Sequence, residues 1–187
     1  MIVALSGSHS TGKSTLLEMF KNLEGVTCIP SVTRKTISAE ERKVDGVQDL
    51  NTAQLSMLDN ICDVMEDIVS MNLLEPNHIF ILDRCVFDFL AYTRCFAKRG
   101  KVSEETLKTI EASTKQLSSY LDLVVYLGIE FDIVDDGVRS LDEILRKEVD
   151  QEIRKELEQS SVEHIKLTGS VDERFRDLQE KLSRLRG

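Results

Sequence analysis

The chain has 187 residues, 41% of them hydrophobic, which suits one compact domain with a buried core and leaves little room for a second. Its 33 acidic residues outnumber 24 basic ones, a net charge of -9, so no global field draws it to nucleic acid or to an anionic membrane. The four cysteines form no C-x-x-C pair, Met1 to Leu5 is too short for a secretory signal, and no apolar run approaches the ~20 residues of a membrane span. The expectation is free thiols, a reducing cytoplasm and no membrane partner.

Ile2-Val3-Ala4-Leu5 has the length of a buried strand. It leads into Gly7-Ser8-His9-Ser10-Thr11-Gly12-Lys13-Ser14, which fills every fixed position of G-x-x-x-x-G-K-[ST] before Thr15, Leu16 and Leu17 continue as a helix would. A phosphate held by main-chain N–H groups needs close backbone approach, which side chains at positions 7 and 12 would block. Residues Gly7 to Thr15 are therefore expected to bind a triphosphate. Lys13 would reach the β- and γ-phosphates, Ser14 would place its hydroxyl on Mg2+, and the positive end of the helix would face the charge. A Gly/Ser-rich turn with no ligand is the alternative, and the motif's register between strand and helix speaks against it.

Leu16, Leu17, Met19 and Phe20 continue the helical spacing, with Gly25 as its expected stop. Val26 to Ile29 predicts a second strand, ended by Pro30. Arg34 then falls at the carboxyl edge of the sheet, where open α/β sheets bind ligands, so it is either a contact for an anionic substrate or a solvated surface residue. Ser38-Ala39-Glu40-Glu41 resembles a capping box for a short helix. From Asn51, Leu55, Leu58, Cys62, Met65, Val69 and Leu73 form one apolar stripe on a helix of about six turns. That face suits either the chain's own sheet or a twin subunit in a dimer.

Ile79-Phe80-Ile81-Leu82-Asp83 predicts a buried strand ending in a carboxylate, which can approach Mg2+ opposite Ser14 or orient an acceptor hydroxyl. Arg84 follows, and Asp88 and Tyr92 share a face of the helix expected to begin near Val86. Asp83, Arg84 and Asp88 thus offer a substrate site with a general base and an anion clamp, as phosphoryl transfer to a hydroxyl uses; an ordinary surface ion pair is the competing reading. Tyr92 and Phe96 read as core before base-stacking platform. Lys98 to Lys101 is a basic turn, Ser103-Glu104-Glu105 opens another helix, and Leu121 to Leu127 predicts a further strand.

Residues 132–158 change character: Gly137 and Arg139 precede a charged helix whose Leu145, Val149, Ile153 and Leu157 recur at steps of four. The expectation is a mobile helical lid that brings Arg139 and Arg146 over the triphosphate, with a static surface helix as the competing reading. Val162 to Leu167 predicts the last strand. Ser170-x-x-Glu173 caps a terminal helix with Phe175, Leu178, Leu182 and Leu185 facing inward, and the turn at Thr168 is placed to touch the adenine of a bound nucleotide. His9, His78 and His164 lack the spacing of zinc ligands.

Strands near residues 2, 26, 79, 121 and 162 alternate with helices, which predicts an α/β fold: a parallel sheet covered on both faces. With these elements in order, the chain resembles the P-loop kinases of the nucleoside and nucleotide group. GSHSTGKST is similar to the loop of AAA-type kinase-like proteins of phages and of nicotinamide riboside kinase domains. ILDRCVFDFLAY is similar to the Asp-Arg segment of thymidylate and deoxynucleoside kinases, and DDGVRSLDEILRKEVD to the arginine-bearing lid of the same group. The resemblance implies strand order 2-3-1-4-5, ATP on Gly7 to Thr15, substrate between Arg34, Asp83 and Arg84, and Arg139 closing from above. Cys85 stands where deoxynucleoside kinases often have Ser, which leaves the acceptor open.

The implied activity is ATP- and Mg2+-dependent transfer of a γ-phosphoryl group to a nucleoside, nucleotide or related small metabolite. Two other readings stand beside it. One is a phage-type kinase acting on 5-hydroxymethyluracil in DNA or on polynucleotide ends, for which Lys98, Arg99 and Lys101 would form a local basic patch. The other is an ATP-hydrolysing switch or motor subunit, for which the chain has no room for a helical subdomain.

Overall fold

The computed structural model describes residues 1–31, 50–131 and 142–186. Five apolar runs form strands β1 (Ile2–Ser6), β2 (Val26–Ile29), β3 (Ile79–Asp83), β4 (Leu123–Leu127) and β5 (His164–Leu167). They make one parallel sheet in the order β2-β3-β1-β4-β5, as the resemblance implied. The helices are α1 (Lys13–Phe20), α2 (Leu50–Leu74), α3 (Val86–Lys98), α4 (Glu104–Ser118), α5 (Glu143–Gln159) and α6 (Val171–Arg186).

Every residue of β1, β3 and β4 is buried, because helices cover both faces of the sheet. Alternation along each strand divides the core in two. Val3, Leu5, Ile79, Ile81 and Val125 pack against Leu16, Leu17 and Phe20 of α1 and Leu178 and Leu182 of α6. Ile2, Ala4, Phe80, Leu82, Val124 and Tyr126 belong to the other layer, filled by α2 to α5. The register pairs Leu5 with Asp83 and Ser6 with Tyr126, so the central strands end together at one edge and the loop after β1 lies beside the tip of β3.

Several elements differ from expectation, each for a local reason. Helix α1 ends at Phe20, and Gly25 sits in the later turn into β2. Helix α2 turns Ala53, Gln54, Met57, Leu58, Met65 and Ile68 inward, whereas Leu55 and Leu73 of the expected stripe are exposed. The helix is apolar around much of its girth, and its neighbours α4, β1 and β3 choose the side. Gln54 is accepted there because Thr93 donates its hydroxyl to Gln54 Oε1 at 2.7 Å. Strand β4 starts after Asp122, whose carboxylate accepts the Ile2 N–H at 2.7 Å. Strand β5 starts at His164, after Val162, and in α6 Leu185 is exposed and Phe175 half-buried against Phe20.

Leu145, Val149, Ile153 and Leu157 of α5 are buried and the helix packs on α3, so residues 143–158 belong to the packed layer. Asp142 caps α5, accepting from the N–H groups of Ile144 and Leu145 at 3.0 Å each. Arg139 and Gly137, like Arg34 and the helix expected at Ser38 to Glu41, lie outside the described residues. The caps at Ser103 and Ser170/Glu173 form as expected, and all four cysteines are free thiols. Among the described residues no helix is long and apolar enough to cross a membrane.

The observed faces of α2 and α5 make a direct test. Ile153→Val should cost about 0.5–1.5 kcal/mol and Ile153→Ala about 2–5 kcal/mol, whereas Leu73→Ala should stay within about 0.5 kcal/mol, as read from urea unfolding.

Candidate active site

The loop between β1 and α1 is shaped by two glycines. Gly7 has φ +146°, and a Cβ there would run into the Leu127 carbonyl; Gly12, φ +88°, precedes the first turn of α1. Six consecutive carbonyls of the loop are each taken by a donor from within the fold. Lys13 Nζ donates to Gly7 O at 2.6 Å and Ser8 O at 2.5 Å, and Leu16 N to Gly12 O at 2.9 Å. Between them, Arg146 donates from Nε to His9 O and from Nη2 to Ser10 O, both at 3.1 Å, and Arg174 donates from Nη1 to Thr11 O at 2.7 Å. With its carbonyls so occupied, the loop's offering to an anion is its N–H groups.

Arg146 and Arg174 are almost wholly buried, a cost that their hydrogen bonds must offset. Arg146 also donates to Phe131 O at 2.6 Å. Arg174 pairs with Glu130 at 2.9 Å, and its guanidinium lies 4.8 Å from the centre of the Phe131 ring. Glu130 further accepts the Gly169 N–H at 2.8 Å. Burial works to raise the Glu130 pKa, but the Gly169 amide and Arg174 outweigh it and hold the carboxyl below its usual range.

Across the loop, the tip of β3 supplies Asp83. Its Oδ2 accepts the Ser14 hydroxyl at 2.8 Å, joining two hard oxygen ligands of the kind Mg2+ takes at a phosphate site. Arg84 follows with φ +125°, a conformation costing a non-glycine residue about 1–3 kcal/mol. Contacts hold it there: the guanidinium lies 5.8 Å from the Tyr92 ring centre, with the Asp88 and Asp83 carboxylates nearby. Although burial opposes its charge, these partners keep the Arg84 pKa above the ordinary arginine value.

Asp88 is fully buried and accepts from Ser6 Oγ at 2.5 Å and from the Gly7 N–H at 3.2 Å. Burial pushes its carboxyl above the usual range, against the pull of Lys13 and Arg84. Tyr92 Oη lies 3.0 Å from His9 Nδ1. Burial likewise raises the Tyr92 pKa, with the Arg84 cation acting against it.

The structure thus brings Gly7 to Ser14, Asp83, Arg84 and Asp88 together. Asp88, expected at the substrate, accepts from Ser6 and Gly7 where β1 runs into the loop. Arg146, expected over the phosphates, stands among the loop's outer carbonyls. Thr15 and Thr168 are exposed, the latter beside the Gly169–Glu130 bond. The sequence reading missed Arg174, Glu130 and Phe131. Arg174 did leave a trace: it sits four residues before Leu178 on the same face as Leu178 and Leu182, a cation in an apolar stripe.

A family model described as "AAA domain" matches residues 2–174. The chain belongs to this family. No curated protein sequence matches significantly. The fold of this AAA-domain chain is similar to that of thymidylate kinase from Candida albicans, with a TM-score of 0.69 at 19% identity over 98% of this chain and 91% of that one. A deoxyadenosine kinase from M. mycoides, solved with dCMP and dCDP, gives 0.69 at 16% identity over 98% and 100%. Thymidylate kinase from Ehrlichia chaffeensis gives 0.66 at 13% identity over 97% and 98%. At these identities the likeness is one of fold.

Two outcomes follow from the arginine supports. Arg174→Ala orphans the Thr11 carbonyl and Glu130, and should lower stability by about 3–5 kcal/mol in urea unfolding. Because the Glu130 pKa is depressed in the folded chain, its contribution is fully present above its unfolded value and is lost as pH falls through the folded one. Glu130→Gln should therefore flatten the acid limb of stability against pH.

Proposed function

We propose that the protein is an ATP- and Mg2+-dependent kinase that passes the γ-phosphoryl group to a small acceptor: a nucleoside, a nucleotide or a related metabolite. The observation that carries this reading is the Ser14–Asp83 hydrogen bond at the rim of the glycine loop, which joins a hydroxyl and a carboxylate of the kind magnesium triphosphate would use. In this reading Ser14 would hold Mg2+, joined by Asp83 where the acceptor is already a phosphate and needs no base, and the metal would neutralise phosphate charge.

The chain's own groups do the rest by positioning and electrostatics. The main-chain amides of Gly7 to Thr15 grip the phosphates, and Lys13 swings from the Gly7 and Ser8 carbonyls to the β- and γ-oxygens. Arg84 clamps an anionic or hydroxyl-bearing acceptor, and Asp83 orients the acceptor hydroxyl where one is present. Arg34 at the acceptor and Arg139 above the phosphates complete the proposed site from segments outside the described residues, with Thr168 beside the adenine. That the fold is similar to those of proteins named as thymidylate kinase and deoxyadenosine kinase supports the same class of reaction here.

A small acceptor is favoured over a polymer because the candidate basic patch is largely neutralised. Lys98 pairs with Glu152, Arg99 with Glu148 at 2.6 Å, and neighbouring Arg94 with Glu111 and Glu156. Cations already paired release few counterions on meeting a phosphate backbone.

Labelled ATP incubated with thymidine, deoxyadenosine, deoxycytidine, dTMP, dCMP, nicotinamide riboside and hydroxymethyluracil-containing DNA tests this reading. Label should appear on a mononucleoside or mononucleotide, and Lys13→Ala should lower its rate by about a hundredfold or more. Label on DNA alone, hydrolysis indifferent to every acceptor, or an active Lys13→Ala protein would contradict it.

A further inference from the structure

Helix α5 meets the phosphate loop through one side chain and the sheet through another. Arg146 donates from Nε to His9 O and from Nη2 to Ser10 O. Asp150 follows four residues later on the same side of the helix, about 6 Å further along its axis. Its Oδ1 accepts the Tyr126 hydroxyl at 2.8 Å, and both residues are buried. Tyr126 stands near the end of β4, level with Ser6, the last residue before the loop. Next to it the Leu127 carbonyl lies against Gly7, so closely that a Cβ would not fit. Loop, strand and helix thus close a triangle: loop against β4 at Gly7, β4 on α5 at Tyr126–Asp150, and α5 on the loop at Arg146.

The side from β4 to α5 is the one that covering the sheet does not require. Leu145, Val149, Ile153 and Leu157 already seat the helix in the same apolar layer as Tyr126. Withdrawing a carboxylate from water beside them costs stability, and its other oxygen meets Arg154, a half-exposed side chain, at 3.2 Å. Apolar contact has no direction, so a stripe of leucine, valine and isoleucine leaves the slide and rotation of a helix loosely set. A hydrogen bond tolerates little misalignment, and a buried polar pair is suited to fixing register.

We propose that Tyr126 and Asp150 are positioning residues: their hydrogen bond sets the register of α5, so that the Arg146 guanidinium meets the His9 and Ser10 carbonyls and the loop's N–H groups are left to a phosphate. Removing the Tyr126 hydroxyl frees α5 to slip while the ring stays in the core. The consequence for nucleotide affinity rests on the kinase reading above. The coupling of Tyr126 to Arg146 does not, so the two fail separately.

The test uses the full chain labelled with 15N-arginine, with the Arg146 Nε–H signal assigned by its loss in Arg146→Lys. In the parent this proton should exchange slowly with solvent, and Tyr126→Phe should speed the exchange about tenfold or more. Leu157→Ala, which opens a cavity about two turns beyond Asp150, separates register from mere loss of stability: its exchange should stay within about twofold of the parent's. A parent proton that exchanges as an exposed one does, an unchanged rate in Tyr126→Phe, or an equal acceleration in Leu157→Ala overturns the proposal. Calorimetry with magnesium and a non-hydrolysable ATP analogue reads the consequence. Tyr126→Phe should weaken binding about tenfold, and in an Arg146→Lys background the same change should cost less than about twofold. Equal losses in the two backgrounds overturn the coupling, whereas a parent that binds no nucleotide contradicts the kinase reading alone, with the exchange rates still deciding the coupling.

Discussion

A loop that grips phosphate with its amides must turn its carbonyls elsewhere, and buried carbonyls need donors. That requirement shapes this molecule. Lys13 and the first turn of α1 serve the two ends of the loop, but the middle depends on Arg146 and Arg174, from helices that follow it by more than a hundred residues. Both guanidinia are withdrawn from water, which is tolerable because their donors meet carbonyls and the carboxylates of Glu143, for Arg146, and Glu130, for Arg174. The outer helices α5 and α6 therefore do more than cover the sheet: each carries a part of the loop's backbone wiring.

The opposite wall is built from α3. Its start follows Asp83 and Arg84, so the strand tip, the strained arginine and the first turns of the helix form one continuous structure. Asp88 reaches Ser6 and Gly7 just where β1 gives way to the loop, and Tyr92 reaches His9 one step further along. Pairing of β1 with β3 makes these contacts possible, since it sets Leu5 level with Asp83. Sheet order thus becomes site geometry through a single pair of adjacent parallel strands.

What could be read in advance was whatever is contiguous. The glycine loop is one unbroken run whose spacing follows from its chemistry, and Asp83 ends an apolar strand in the same way. The face of α2 was misjudged because Met57, Ile61 and Ile68 are as apolar as Leu55, Val69 and Leu73, so periodicity offered two stripes and only packing against α4 and the sheet chose between them. Arg146 was legible as a cation near the phosphates but not as a support behind them. Side-chain direction depends on α5 docking onto α3, a contact between segments distant in sequence. Asp88 illustrates the same limit: its place on α3 could be read from the sequence, but its hydrogen bonds to Ser6 and Gly7 depend on β1 and β3 lying side by side.

The measurement that bears most directly on this account is a crystal structure of the chain with magnesium and a non-hydrolysable ATP analogue. The account predicts the triphosphate within the ring of Gly7 to Ser14, the metal beside Ser14 and Asp83, and Lys13 Nζ moved from the carbonyls of Gly7 and Ser8 onto the phosphates while Arg146 and Arg174 keep theirs. A nucleotide bound elsewhere, or an Asp83 carboxylate turned away from the metal, would contradict it.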